Sequence, residues 1–132
     1  RRNDAECYEV LRWLFWDNGK LSNFMATYRY MRAFTPSPDE HVLKFLKRRV
    51  DDFLGVVEQR VSAQPFVAGD AASVADLSMI AYLSFPSHEA GYDFSASHPA
   101  IDAWLKRIAA LPGWKPPYDL LPGQRLKCYV KN

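Results

Sequence analysis

Apolar residues recur every three or four positions along most of the chain, and no stretch shows the strict alternation of a half-buried strand. The pattern predicts an all-α fold, a single helical domain over residues 1–132 with four main helices and an extended proline-rich tail. The first helix is expected from about Asp4 to about Phe34. Because glycine disfavours a helix interior, Gly19 predicts a kink or a second start near Ser22. The apolar stripe of this helix comprises Leu11, Leu14, Leu21, Met25 and Tyr28.

The second helix has a strong start signal in the sequence. Ser37 is the predicted N-cap, Pro38 suits the first helical position, and Glu40 can close a capping box. The helix should stop before Pro65 and pair antiparallel with the first helix. Its predicted core residues, spaced three or four apart, are Val42, Leu46, Val50, Phe53, Val57 and Val61.

The third helix follows a turn predicted at residues 66–70. Ser73 is the predicted N-cap, and the Asp76 carboxylate can reach back to the Ser73 N–H, as in a capping box. A serine and an acid could also suggest a catalytic pair, but the three-residue spacing before an apolar run favours the cap. From Val74 to Phe85 the helix is apolar nearly all round, so we expect it at the centre of the bundle.

The last part of the chain combines a loop, a helix and an unusual tail. Residues 87–97 are expected to form a loop, and the fourth helix to run from Pro99 to Leu111 with Trp104 in its middle. Residues 114–123 contain too many prolines for a helix and too many large apolar side chains to remain in water. The tail should therefore fold back onto the bundle.

Composition and charge exclude several classes of protein. Hydrophobic residues make up 48% of the chain and the formal net charge is +2, which is typical of an ordinary globular domain and argues against nucleic-acid or membrane partners. The basic run 44–49 is interpreted as a solvated helix face, with a phosphate-binding patch as the alternative.

Cys7 and Cys128 show no metal-ligand spacing with the histidines, and no secretory or transmembrane segment is present, so we expect no metal and a cytoplasmic location. Because the chain opens on Arg1 without a methionine, we expect it to be part of a longer protein.

The order of helices and two motifs resemble the C-terminal domain of the glutathione transferase family. Residues 66–77 are similar to the family's apolar-apolar-x-Gly-Asp followed by Ser/Thr-x-Ala-Asp-apolar, and residues 98–104 to its His/Tyr-Pro-x-apolar-x-x-Trp. The stretches 13–16 and 117–123 also resemble bacterial members. Ala72 departs from the pattern, because relatives often carry a bulkier residue there, and the hydrophobic staple at this helix start should be weak.

The resemblance implies a two-domain enzyme. In that family an N-terminal thioredoxin-like domain, absent from this chain, binds glutathione and uses a Tyr, Ser or Cys to stabilise its thiolate, which is the nucleophile. The helical domain would supply the wall of the pocket for a small hydrophobic electrophile and, on its first two helices, much of a homodimer interface. No catalytic residue is expected in this chain, which should be inactive alone.

The resemblance places the pocket residues just before the kink, at Trp13, Trp16, Asp17 and Asn18. Trp13 offers a flat face and an N–H group to an aromatic electrophile, although a tryptophan on a long helix is more often core. Asp17 would repel the carboxylates of glutathione. It could meet the glutamyl amino group instead, or simply be solvated near the kink.

Two alternatives to the enzyme are compatible with the sequence. Similar helical domains serve as non-catalytic interaction modules in translation complexes and regulators. An unrelated bundle that binds an apolar ligand is a further option, but it does not explain the two motifs. In the tail, Trp114 and Tyr118 either approach the electrophile pocket or only dock the tail.

Overall fold

The structure, a computed structural model, describes residues 3–130 of the chain. The all-α prediction is confirmed, since the β structure in this part of the chain is one isolated bridge between Phe66 and Gly69. In chain order the helices are α1 (Asp4–Gly19), α2 (Leu21–Phe34), α3 (Glu40–Ala63), α4 (Val74–Leu83), α5 (Ser87–Ala90), α6 (Phe94–Ser97), α7 (Pro99–Ala109) and α8 (Pro117–Leu120).

The break predicted at Gly19 separates α1 from α2. Lys20 lies between the two helices with φ −131° and ψ −92°, outside helical geometry. The expected stripe is correct in α2, where Leu21 and Met25 are fully buried, but wrong at Leu11, which is 46% exposed. In α1 the buried side instead carries Val10, Trp13 and Asp17.

The start of α3 differs from the prediction. Asp39, not Ser37, is the N-cap, and its carboxylate accepts hydrogen bonds from the N–H groups of His41 at 2.8 Å and Val42 at 3.2 Å. An aspartate at this position satisfies two backbone donors and also places negative charge at the positive end of the helix. The helix therefore begins at Glu40.

Asp39→Ala should lower the free energy of unfolding by about 1 kcal/mol, because two N–H groups of the first turn lose their acceptor. Ser37→Ala is the matched control and should change it by less than about 0.5 kcal/mol. Urea denaturation of both variants measures the difference. Equal effects of the two substitutions would contradict this assignment of the cap.

The antiparallel pairing of the first helical segment with α3 is confirmed by contacts along their length. Glu9 near the start of α1 contacts Arg60 near the end of α3, and Phe24 in α2 lies 6.4 Å from Phe45, ring centre to ring centre, near the start of α3. The predicted α3 core is buried except for Val42, which is 39% exposed.

The capping box at α4 is confirmed, and the helix lies among α1, α2 and α7. The Asp76 carboxylate accepts from the Ser73 N–H at 2.8 Å. The contacts of α4 with α1, α2 and α7 confirm the expected position at the centre of the bundle, but the helix is not buried on every side, because Val74 is 58% and Leu77 50% exposed. It ends at Leu83, two residues before the predicted Phe85, so that Phe85 lies in the connection to α5.

The C-terminal part differs from the prediction at residues 87–97 and agrees with it in the tail. The region 87–97 contains the single-turn helices α5 and α6 instead of a plain loop. The tail does fold back, since Trp114 packs against the core and the Tyr118 hydroxyl accepts a hydrogen bond from Arg29 in α2 at 2.8 Å. Further along, the Tyr129 N–H donates to the Ala33 carbonyl at the end of α2, at 2.8 Å. One helical turn, α8, forms within the proline-rich segment because Pro117 occupies its first position.

Candidate functional site

An apolar groove of about 480 Å³ lies between α4 and the tail. This volume falls within the range of pockets that hold small organic molecules. Lys115 is the one charged residue in its wall. The apolar side chains that shape the groove include Ile80, Ala81, Phe85, Trp114, Leu120 and Leu121.

The exposed side of α4 continues beyond the groove. Leu77 lines the groove and is half exposed, and Val74, one turn earlier, is more exposed still. The neighbouring helix α1 also carries exposed apolar side chains, with Phe15 77% and Leu11 46% accessible. Exposed apolar side chains that form a contiguous patch often mark a surface that binds another molecule or domain.

Trp13, the first of the predicted pocket residues, lies in the core and is 4% exposed. Its indole N–H donates to Glu9 Oε1 at 3.0 Å, and the Arg60 guanidinium lies 5.4 Å from the ring centre. The N–H group is therefore already engaged within the protein. The structure supports the core interpretation, and a pocket role for Trp13 stays a prediction.

Glu9 fixes this corner of the bundle. Its carboxylate accepts hydrogen bonds from Arg12 at 2.7 Å and Arg60 at 2.9 Å, which joins α1 to α3. The hydrogen bond from Arg12 is the main cause that lowers the pKa of Glu9 to about 2, against the opposing effect of partial burial. Trp13 is thus held by an acceptor that keeps its charge over the whole neutral range.

Trp16 and Asn18 have different surroundings. Trp16 is half-buried and packs edge to face on Trp13 and Phe53, with ring centres 5.4 and 5.8 Å apart. Asn18 is exposed and donates from its side-chain amide to the Leu14 carbonyl at 2.9 Å. None of the four predicted residues lines the groove.

Asp17 is fully buried, so the expectation that it is solvated is wrong. Its carboxylate accepts from the Ser22 N–H at 3.2 Å, the Ser22 hydroxyl at 2.7 Å and the Ser78 hydroxyl at 2.6 Å. The kink after Gly19 turns the first N–H groups of α2 toward this carboxylate, and helix N-termini favour negative charge. Asp17 therefore ties α1, α2 and α4 together at the kink.

Asp76 is the second fully buried carboxylate, and sequence reasoning found only its capping role. Besides Ser73, it accepts from the Val67 N–H at 2.9 Å and the Trp104 indole N–H at 3.0 Å. One side chain therefore connects the turn before α4, the start of α4 and the middle of α7. The two motifs that carry the family resemblance meet at this residue.

A cluster that sequence reasoning missed joins α2, α5 and α8. Arg29 pairs with Glu89 at 2.5 Å, and both side chains are largely buried, with 12% and 5% exposed. The Tyr118 hydroxyl contacts both of them. Arg29 and Glu89 are 60 positions apart in the chain, and no local motif predicts their pairing.

Residues 3–130 show no feature of a metal centre or of a membrane span. No group of histidine, cysteine and acidic side chains in this range could hold a metal ion. No helix in the same range has the length and apolar character needed to cross a membrane. Cys7 and Cys128 are free thiols, and Cys7 is exposed.

Comparison with known proteins supports the resemblance seen in the motifs. The family described as "Glutathione S-transferase, C-terminal domain" matches residues 24–116. A glutathione S-transferase domain-containing protein of Dictyostelium discoideum is 23% identical over 109 residues, covering 82% of this chain and 42% of that protein. The chain spans less than half the length of the curated relatives it matches.

Two solved structures share the fold. A glutathione S-transferase of Xanthobacter autotrophicus Py2 superposes with a TM-score of 0.75 at 28% identity, covering 91% of this chain and 60% of that one. A glutathione transferase of Phanerochaete chrysosporium, solved with oxidized glutathione, superposes with a TM-score of 0.73 at 21% identity. The match covers 85% of this chain and 51% of that one. With its capped α4, the Trp104 helix and the family match over most of its length, this chain belongs to the glutathione S-transferase C-terminal domain family.

Proposed function

We propose that this chain is the helical half of a glutathione transferase whose other half is an N-terminal thioredoxin-like domain. The match of the family to residues 24–116 carries the proposal. The relatives are more than twice as long as the matched region, which leaves room for such a domain. The transferase from Phanerochaete chrysosporium, which shares the fold, was solved with oxidized glutathione and supports glutathione as the co-substrate.

In the proposed reaction the sulfur of glutathione attacks a small hydrophobic electrophile, a chemistry suited to detoxification. The thiol loses its proton to become a thiolate, and the new C–S bond forms as the leaving group departs with its electron pair. The thioredoxin-like domain activates the thiol, and this chain supplies no catalytic residue. Its contribution is the apolar groove between α4 and the tail, which removes the electrophile from water.

The thioredoxin-like domain is proposed to pack on α1 and α4. Phe15, Leu11 and Val74 would be covered there, which accounts for large apolar side chains left exposed in this chain. Leu77 belongs both to this exposed side and to the groove. A domain seated on α4 would therefore hold its bound glutathione beside the groove.

The residues around the kink receive separate roles in this proposal. Asn18 is exposed and Trp16 half-buried, so these two can contact a substrate or the docked domain directly. Trp13 and Asp17 are buried: Trp13 is fixed where α1 meets α3, and Asp17 holds the kink in place. Direct contact of Trp13 and Asp17 with substrate would require the helix to open.

A homodimer in the cytoplasm is the proposed assembly. On the outer side of α2 and α3, Phe45 is 58% exposed, and the Arg49 guanidinium lies 5.7 Å from the centre of the Phe24 ring. An exposed aromatic flanked by arginine is typical of the centres of protein interfaces. A second copy of the chain would cover this surface.

The proposal is tested by filling the groove in the full-length protein. Ala81→Trp should raise the KM for an activated aryl chloride by about tenfold or more, because the indole occupies the space of the electrophile. The KM for glutathione should not change. Ala103→Trp, on the exposed side of α7 and outside the groove, is the matched control.

Two results would contradict the proposal. If Ala81→Trp and Ala103→Trp have the same KM for the aryl chloride, the groove does not bind the electrophile. If the full-length protein does not conjugate glutathione with a panel of apolar electrophiles, the non-catalytic interaction module becomes the better description.

A further inference from the structure

The tail contains a segment, residues 113–123, that we call the strap. Its first and last residues, Gly113 and Gly123, have φ values of +80° and +95°, which residues other than glycine rarely adopt. A Cβ atom added at either position would meet nothing within 4 Å, so glycine is needed there for the turn and not for space. The helix α8 within the strap has no buried residue. Trp114, near the start of the strap, packs against the core, whereas the part that contains α8 lies on the surface of the bundle.

One side chain fastens the middle of the strap to the bundle. The Tyr118 hydroxyl accepts a hydrogen bond from Arg29 Nη2 at 2.8 Å and lies 2.8 and 2.9 Å from the Glu89 carboxylate oxygens, to which it donates. Its ring meets Phe85 edge to face, with ring centres 5.3 Å apart. Hydrogen bonds to charged groups are among the stronger ones in proteins.

The partners of Tyr118 are assembled without it. Arg29 donates to Glu89 Oε2 from Nε at 3.1 Å and from Nη2 at 2.5 Å, and its guanidinium lies 3.5 Å from the centre of the Phe85 ring. If the strap lifts, the buried charges of Arg29 and Glu89 remain paired. Breaking a buried ion pair would be costly, but releasing Tyr118 does not require it. The part of the strap around α8 can therefore detach, with Trp114 still packed on the core, while the helical bundle stays intact.

The strap separates two cavities. On one side Pro117, Leu120 and Leu121 form a wall of the groove of about 480 Å³. On the other side lies a smaller cavity of about 240 Å³, lined by Arg29, Phe34 and residues of the strap. Phe85 and Leu121 border both cavities. The position of the strap therefore sets the shape of the groove.

We infer that Tyr118 is a latch: by binding the Arg29–Glu89 pair it holds the strap closed as a movable wall of the groove, and so acts as a positioning residue for the electrophile. The role in substrate binding rests on the proposed function of the groove. The family match ends at residue 116, so Tyr118 lies beyond the region that the family describes.

Hydrogen exchange of this chain tests the latch. In Tyr118→Phe, which keeps the ring but removes the hydroxyl, residues 117–123 should exchange about tenfold faster or more. The amides of Asp119 and Leu121 are the reporters, since they donate to the carbonyls of Pro116 and Pro117 around α8. Exchange in α2 and α4 should not change.

Tyr8→Phe is the matched control, because Tyr8 lies on α1, is 71% exposed and borders neither cavity. In this control variant, the amides of residues 117–123 should exchange at the same rate as in the unmodified chain. Equal exchange of residues 117–123 in Tyr118→Phe and Tyr8→Phe would overturn the latch. A uniform increase over all helices in Tyr118→Phe would overturn it too, since that pattern indicates general loss of stability.

Kinetics of the full-length protein separate the latch from the proposed function. With the strap loosened in Tyr118→Phe, the KM for the electrophile should rise by about tenfold while kcat and the KM for glutathione are unchanged. If the strap exchanges faster but the KM for the electrophile is unaltered, the latch is supported and the groove as electrophile pocket is refuted. If neither exchange nor KM changes, the latch itself is refuted.

Discussion

Replacing Asp76 with alanine is expected to destabilise the domain by about 3 to 5 kcal/mol, a large share of the stability of a domain this size. The substitution removes the acceptor of the N–H groups of Val67, Ser73 and Trp104. These donors lie in a buried region that water does not enter, because Val67 and Trp104 are fully buried. Each buried donor left without a partner costs about 1 to 3 kcal/mol, and partial relaxation lowers the sum.

Urea denaturation followed by circular dichroism measures this loss. Asp70→Ala is the matched control, since Asp70 belongs to the same motif but is exposed, and it should change stability by less than about 0.5 kcal/mol. Asp76→Asn keeps the size of the side chain but turns one acceptor into a donor. Its loss of stability should therefore lie between those of Asp70→Ala and Asp76→Ala. A loss below about 1 kcal/mol for Asp76→Ala would contradict the description of Asp76 as the centre of this network.

Asp17→Ala is expected to lower the free energy of unfolding by about 2 to 4 kcal/mol. The Ser22 N–H, the Ser22 hydroxyl and the Ser78 hydroxyl lose their common acceptor. Without that carboxylate the start of α2 is no longer fixed to the end of α1 or to α4. Amide exchange at the first turn of α2 should therefore rise more than exchange in α3.

The adjacent residue provides the control for Asp17. Asn18 is exposed and bonds only within α1, so Asn18→Ala should leave stability within about 0.5 kcal/mol of the unmodified chain. If thermal unfolding shows the same loss of stability for Asp17→Ala as for Asn18→Ala, the Asp17 carboxylate does not stabilise the kink.

The fold could be predicted from local signals because most helix ends are set by the residues at those ends. Gly19 breaks the first helix, and Pro65 follows the end of α3. Local signals fail where two of them compete. Ser37 and Asp39 both satisfy the rule for an N-cap, and nothing in the neighbouring sequence ranks them.

The candidate site was less predictable, since it depends on contacts between distant positions. Arg29, Glu89 and Tyr118 belong to three helices, and each one alone reads as an ordinary surface residue. Asp17 also gives no local signal, because its burial follows from the kink angle and from Ser78, 61 positions away. Periodicity identifies the side of a helix that is buried, but it does not identify the partner that covers it.

The two buried carboxylates determine which positions of α4 can change in this chain without moving the helix. Sliding α4 by one turn, about 5.4 Å, would leave Asp17 without Ser78 and Asp76 without Trp104, so both carboxylates fix the axial register of the helix. That register does not depend on the residues that α4 turns toward the groove. Mutations at Leu77, Ala81 or Tyr82 can therefore accumulate and change the shape of the groove, while the helix keeps its place.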